Sequence, residues 1–134
     1  MSRVLGVDYG TKRVGLALSD TLRMTASPHS TVARADVVTV VMNLVKEMDV
    51  GTIVVGLPTG LSGDEGTSAT EARKLADELG SVTGIEVALL DERYTSRIAE
   101  SSLLQTGMKR RERRGKVDQV AAAHILQDYL DKLK

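Results

Sequence analysis

Residues 3–19 read RVLGVDYGTKRVGLALS, two Val- and Leu-rich segments on either side of Tyr9-Gly10-Thr11-Lys12. Two short apolar runs joined by a glycine-bearing connection predict an antiparallel hairpin, with strands over 3–8 and 13–19. Asp8 stands where the first strand stops. A carboxylate ending an apolar strand needs hydrogen bonds, a cation or exposure, because burying it alone is costly. Taken singly it reads as a turn-capping aspartate accepting the amides of Tyr9 to Thr11. Strand ends of open α/β sheets are, however, also where ligands bind.

Working outward, a third extended segment is predicted over 24–32, interrupted at Pro28. Residues 36–49 put Val37, Val41, Leu44, Val45 and Met48 on one helical face, with Asp36 as N-cap. The β-branched run Val37–Val41 argues instead for a strand. Residues 52–56 (TIVVG) form the continuous apolar run of a strand covered on both faces, and the Gly/Ser/Thr/Asp-rich stretch 59–67 is a loop. Ser68 followed by Glu71 has the form of a capping box, with Ala72, Leu75, Ala76 and Leu79 at helical spacing behind it. A strand over 85–90 stops at Asp91-Glu92-Arg93. A helix capped by Thr95 or Ser96 runs to about 106 and closes at Gly107. A last helix covers 117–133, with Asp118, Ala121, Ala122, Ile125, Tyr129 and Leu133 on its inner face. The order β-β-β-α-β-α-β-α-α predicts an α/β fold: a mixed five-stranded sheet, its first three strands antiparallel, flanked by helices. No repeat, low-complexity tract or boundary divides the chain, so one domain is expected over 1–134.

Composition narrows the function classes. There is no cysteine, which excludes disulfides, thiolate metal sites and cysteine nucleophiles. Arg3 and Asp8 interrupt any signal-peptide core, and no apolar run approaches the roughly eighteen residues of a membrane span. A cytoplasmic protein with no membrane association is expected. Eighteen basic and eighteen acidic residues cancel, but unevenly. The segment 109–116, KRRERRGK, holds six cations against one anion, leaving twelve against seventeen elsewhere. A basic segment beside acidic positions suits a protein that meets a polyanion and holds cations; a solvated loop has the same composition. With three Tyr and no Phe or Trp, base stacking on aromatic platforms is disfavoured.

Three acidic positions can converge. Asp8 and the pair Asp91-Glu92 end apolar strands, and adjacent strand residues face opposite ways, so only one of the pair can share Asp8's side. The other is free to pair with Arg93 or to cap a helix. Asp118 opens a helix on its buried stripe, and Ala121 and Ala122 let that helix approach the sheet. Each has an ordinary explanation, such as a first-turn aspartate favoured by the helix dipole. Together, three carboxylates repel one another unless divalent cations bind, and hard oxygen ligands favour Mg²⁺ or Mn²⁺ over zinc. Such a pair of ions promotes phosphodiester hydrolysis.

The blocks Val7-Asp8-Tyr9-Gly10-Thr11-Lys12-Arg13-Val14-Gly15-Leu16-Ala17, Val54-Val55-Gly56-Leu57-Pro58, Asp91-Glu92-Arg93-Tyr94-Thr95-Ser96 and Lys116-Val117-Asp118-Gln119-Val120-Ala121-Ala122 resemble, in order, those of the YqgF/RuvX family of Holliday-junction resolvases and pre-16S rRNA nucleases. The resemblance spans nearly the whole chain. It implies a ribonuclease-H-like fold and a metal-dependent nuclease acting on pre-rRNA or branched DNA. It implies an acidic site of Asp8, Glu92 and Asp118, with Asp91 the alternative to Glu92. A fourth acid common in related resolvases falls here on Ala121, so three acids are expected. In that reading Lys12, Arg13, Arg93, Lys109, Arg110, Arg111, Arg113, Arg114 and Lys116 contact nucleic acid, the last six from a mobile loop between Gly107 and Gly115. Symmetric junction cutting would need a dimer; monomer and weak homodimer both stay open. His124 reads as a packed or half-exposed helix residue, and Asp20, Asp64 and Glu65 as loop polar residues.

Two rivals keep the fold and change the chemistry. Asp-Tyr-Gly-Thr-Lys also resembles the first phosphate loop of actin-like ATPases, but those need two lobes and this chain supplies one. A non-catalytic nucleic-acid-binding module would bind without metal and cleave nothing.

Overall fold

A computed structural model of the chain describes residues 2–10, 13–57, 67–91 and 110–133, and at 67–68, 91 and 110–118 the description is of the backbone. The hairpin forms as its sequence predicts: β1 is Arg3–Tyr9 and β2 is Arg13–Ser19. Both are buried through their centres, which suits apolar runs covered on both faces. β3 (Ala26–Ala33) pairs antiparallel with β2 and continues through Pro28, with a register shift at Leu16/Ala17. Proline is tolerated there because β3 is an edge strand. β4 (Val50–Leu57) and β5 (Glu86–Asp91) add in parallel on the other side of β1. The sheet order is β3-β2-β1-β4-β5, mixed and five-stranded.

Between β3 and β4 a 3₁₀ turn, Arg34–Asp36, leads into α1 (Val37–Glu47). The β-branched run is therefore helical. Only that conformation buries Val37, Val41 and Leu44 together against the sheet, and tertiary packing overrides the weak local preference. Asp36 occupies the N-cap position without a side-chain capping bond. Asp49, with φ 53°, turns the chain out of α1 into β4.

α2 is Thr67–Thr83 and buries Ala69, Ala72, Leu75, Ala76 and Leu79. Its assigned start precedes Ser68, and the Glu71 carboxylate is bonded to the Arg34 guanidinium of the 3₁₀ turn. A long-range cation thus takes the group expected to close a capping box. Gly84, at φ 71°, ends the helix, its N–H bonded to Gly80 O.

α3 (Arg110–Lys132) corrects two expectations. The basic segment is helical from Arg110 onward rather than a loop up to Lys116, because Arg, Glu and Lys are strong helix formers and one glycine costs a helix only about 1 kcal/mol. The buried stripe also runs through Ala122, Ile125, Leu126 and Leu130, whereas Leu133 is 55% exposed, lying past the last helical residue. The predicted helix over 95–106 lies outside the described residues. No described helix is long and apolar enough to cross a membrane.

Side-chain alternation divides the core in two. Leu5, Val7, Val14, Leu16, Ile53 and Val55 face α1 and α2, while Val4, Ala17 and Val54 face α3.

Candidate active site

Asp8 is a charged residue inside this sheet, 6% exposed and one residue from the end of β1. It lies on the α3 side, two residues beyond Gly6. Its register partners are Gly15 in β2 and Gly56 in β4, and beyond these come Thr31 in β3 and Leu90 in β5. One row across the sheet therefore reads Thr31, Gly15, Asp8, Gly56, Leu90. Neighbours in such a row are about 4.8 Å apart, so the carboxylate has a position without a side chain on either hand. The amide of Gly10, part of the turn that could have capped Asp8, is engaged by Arg13 O at 2.9 Å.

The path of α3 follows from three contacts. A Cβ added to Gly6 would lie 2.8 Å from Leu126 Cβ and 3.0 Å from Ala122 O, so the helix rests on the backbone of β1 there. Gln127 then bonds both strands' turn: Ala26 N donates to its Oε1 at 2.9 Å, and its Nε2 donates to Met24 O at 3.1 Å. Ala26 is opposite Ser19, whose Oγ accepts from Val4 N, so Gln127 is near the start of β1. Earlier residues of α3 lie toward later residues of β1. The backbone at position 118 is one turn, about 6 Å, before Ala122 and is carried toward the Asp8 end of the strand.

The other expected ligands are less fully described. β5 ends at Asp91, opposite Leu57, at the same edge of the sheet as Asp8. Glu92 and Arg93 lie outside the described residues, as do Lys12, Lys109, Asp64 and Glu65. Among the described residues no three acidic or histidine side chains gather into a cation site, and of the expected ligands only Asp8 has a described side chain. The donor chemistry fits a hard divalent ion: a buried carboxylate oxygen, open positions beside it, and no competing thiolate. Arg13 opens β2, half-buried, and Arg110, Arg111, Arg113, Arg114 and Lys116 fall on the first two turns of α3. His124 is exposed. Asp20 caps the β2–β3 turn, accepting from Met24 N and Thr25 N at 2.8 and 3.1 Å, and these bonds hold its carboxyl below the usual range.

One cluster had no signal in the sequence. Tyr9, next to Asp8 but on the opposite face, carries the Arg34 guanidinium 4.1 Å above its ring, and Arg34 is paired with Glu71. That pairing raises the guanidinium's pKa further. With Lys74, Leu75 and Glu78 they line a shallow pocket of about 220 Å³. Its members come from three elements far apart in the chain, which local pattern cannot bring together.

Comparison with known proteins gives concordant results. The profile of a family described as "RuvX: Holliday junction resolvase" matches residues 2–132. A protein of Anaeromyxobacter sp. (strain Fw109-5), named "Putative pre-16S rRNA nuclease", is 48% identical, covering 96% of each chain. One of Endomicrobium trichonymphae with the same name is 42% identical over 98% of this chain and 96% of its own. Among solved structures, RuvC of T. thermophilus in complex with a Holliday junction substrate superimposes with a TM-score of 0.59 at 13% identity, covering 99% of this chain and 96% of that one. The yeast mitochondrial resolvase Ydc2 gives 0.52 at 15% identity, covering 99% and 85%. The fold shared with these resolvases is ribonuclease-H-like.

Proposed function

The chain belongs to the RuvX family, nucleases that hydrolyse phosphodiester bonds, and we propose that it works as one domain over 1–134 on structured nucleic acid, first the precursor of 16S rRNA and second branched DNA. The observation that carries this reading is the buried Asp8 carboxylate at the end of the central strand, between two glycines, with α3 directed at the same edge. Relatives named for pre-16S rRNA support the RNA arm.

In this proposal Asp8 anchors Mg²⁺ or Mn²⁺, Glu92 holds it from the side and Asp118 completes the set. The two-residue period that gives Ala88 and Leu90 to the α3 side favours Glu92 over Asp91. Divalent ions there supply Lewis-acid activation of water and of the phosphoryl group. The basic first turns of α3, with Lys12, Arg13 and Arg93, hold phosphates on either side of the scissile bond, an attraction that weakens with salt.

The test incubates purified protein with labelled pre-16S rRNA and DNA four-way junctions in Mg²⁺ or Mn²⁺, beside Asp8→Asn. The expected result is metal-dependent cleavage that Asp8→Asn abolishes while keeping its fold and nucleic-acid binding. Equal cleavage by Asp8→Asn overturns the mechanism. Metal-independent binding by the native chain with no cleavage identifies a binding module instead.

A further inference from the structure

Glycines on the α3 face of the sheet fall into two kinds. Gly6 is explained by packing, since the backbone and Cβ of α3 occupy the space its side chain would need. Gly15 has a similar explanation, because α3 packs chiefly over β1, β2 and β3. Gly56 does not. It lies in β4, which α3 touches only sparingly, yet it is buried and in register with Asp8. Valine is the residue that β4 uses at 54 and 55, both fully buried. The strand's preference for bulk therefore stops at the one position level with the carboxylate.

We infer that Gly56 is a specificity-determining residue: its missing side chain keeps open the space beside Asp8 in which a divalent ion and the scissile phosphate meet. This rests on the nuclease reading and deepens it. A methyl group at 56 would stand about 4.8 Å from the Asp8 backbone on the same face. That is the distance over which a carboxylate reaches an ion and the ion reaches a phosphate oxygen, with bonds near 2.1 Å each. Even alanine intrudes on it. Displacing reacting groups by about 1 Å costs on the order of 10²-fold in rate.

Gly56→Ala is compared with Val55→Ala, which weakens the opposite face of the same strand. Stability is read by urea denaturation, Mn²⁺ binding by electron paramagnetic resonance and cleavage on labelled RNA. Gly56→Ala is expected to lose about 10²-fold in cleavage and to bind Mn²⁺ more weakly, though no less stable than Val55→Ala. Val55→Ala keeps both properties per folded molecule. Native Mn²⁺ binding and cleavage by Gly56→Ala overturn the inference. So does a loss explained by its unfolded fraction, which would make Gly56 a packing residue. If the native protein shows no Asp8-dependent cleavage or Mn²⁺ binding, the nuclease reading itself falls, an outcome distinct from the other two.

Discussion

The two faces of the sheet are built from different materials. Toward α1 and α2 the central strands present Leu5, Val7, Leu16, Ile53 and Val55, and the helices meet them with Val37, Val41, Leu44 and Leu79. Toward α3 the same strands present Val4, Gly6, Ala17 and Val54, met by Ala122, Ala123, Ile125, Leu126 and Leu130. On the first face bulk fills the gap between layers, and its job is burial. On the second, small residues let a helix backbone come against a strand backbone, and the acid lies at the end of that contact. Size on one side and closeness on the other separate stability from geometry within a single strand.

Three substitutions or conditions probe that separation. Leu5→Ala, at a fully buried position, should cost about 2–5 kcal/mol in urea denaturation, yet each folded molecule should cleave as the native protein does. Gly6→Ala should cost less, about 1–3 kcal/mol, because Leu126 and Ala122 must retreat. Its cleavage should nevertheless fall beyond its unfolded fraction, since the retreat moves position 118. If Leu5→Ala damages cleavage as much as Gly6→Ala, the two faces do not divide their work. The smallest effect lies at the β2–β3 turn. Asp20 has a folded pKa below its ordinary 3.8, so its contribution is present above that value and fades as pH falls through the folded pKa. The stability gap between native protein and Asp20→Asn should therefore be open at about pH 6 and closed near about pH 2.

Which parts were legible in the sequence follows from how local their causes are. Strands 13–19 and 52–56 show as apolar runs, and Asp8 shows because it interrupts one. Val37–Val41 was ambiguous because β-branching speaks locally for a strand while burial of every third or fourth residue speaks for a helix, and only the sheet decides. Glu71 was assigned to Ser68 because a local partner is all that sequence offers; Arg34 arrives from thirty-seven residues away. The basic run was read as a loop from its glycines, although its Arg and Glu residues carry the helix through. Gly56 could have been singled out only once the register set it beside Asp8.

Gln127 gives α3 a fulcrum. Its amide grips the β2–β3 turn through Ala26 and Met24, while position 118 lies nine residues away, about 13 Å along the helix axis. A swing of about 5° around that grip moves the far end by about 1 Å, the scale at which reacting groups lose alignment. A side chain remote from every acid thereby sets the aim of one of them, and exchanging Gln127 would retune the protein from its opposite pole.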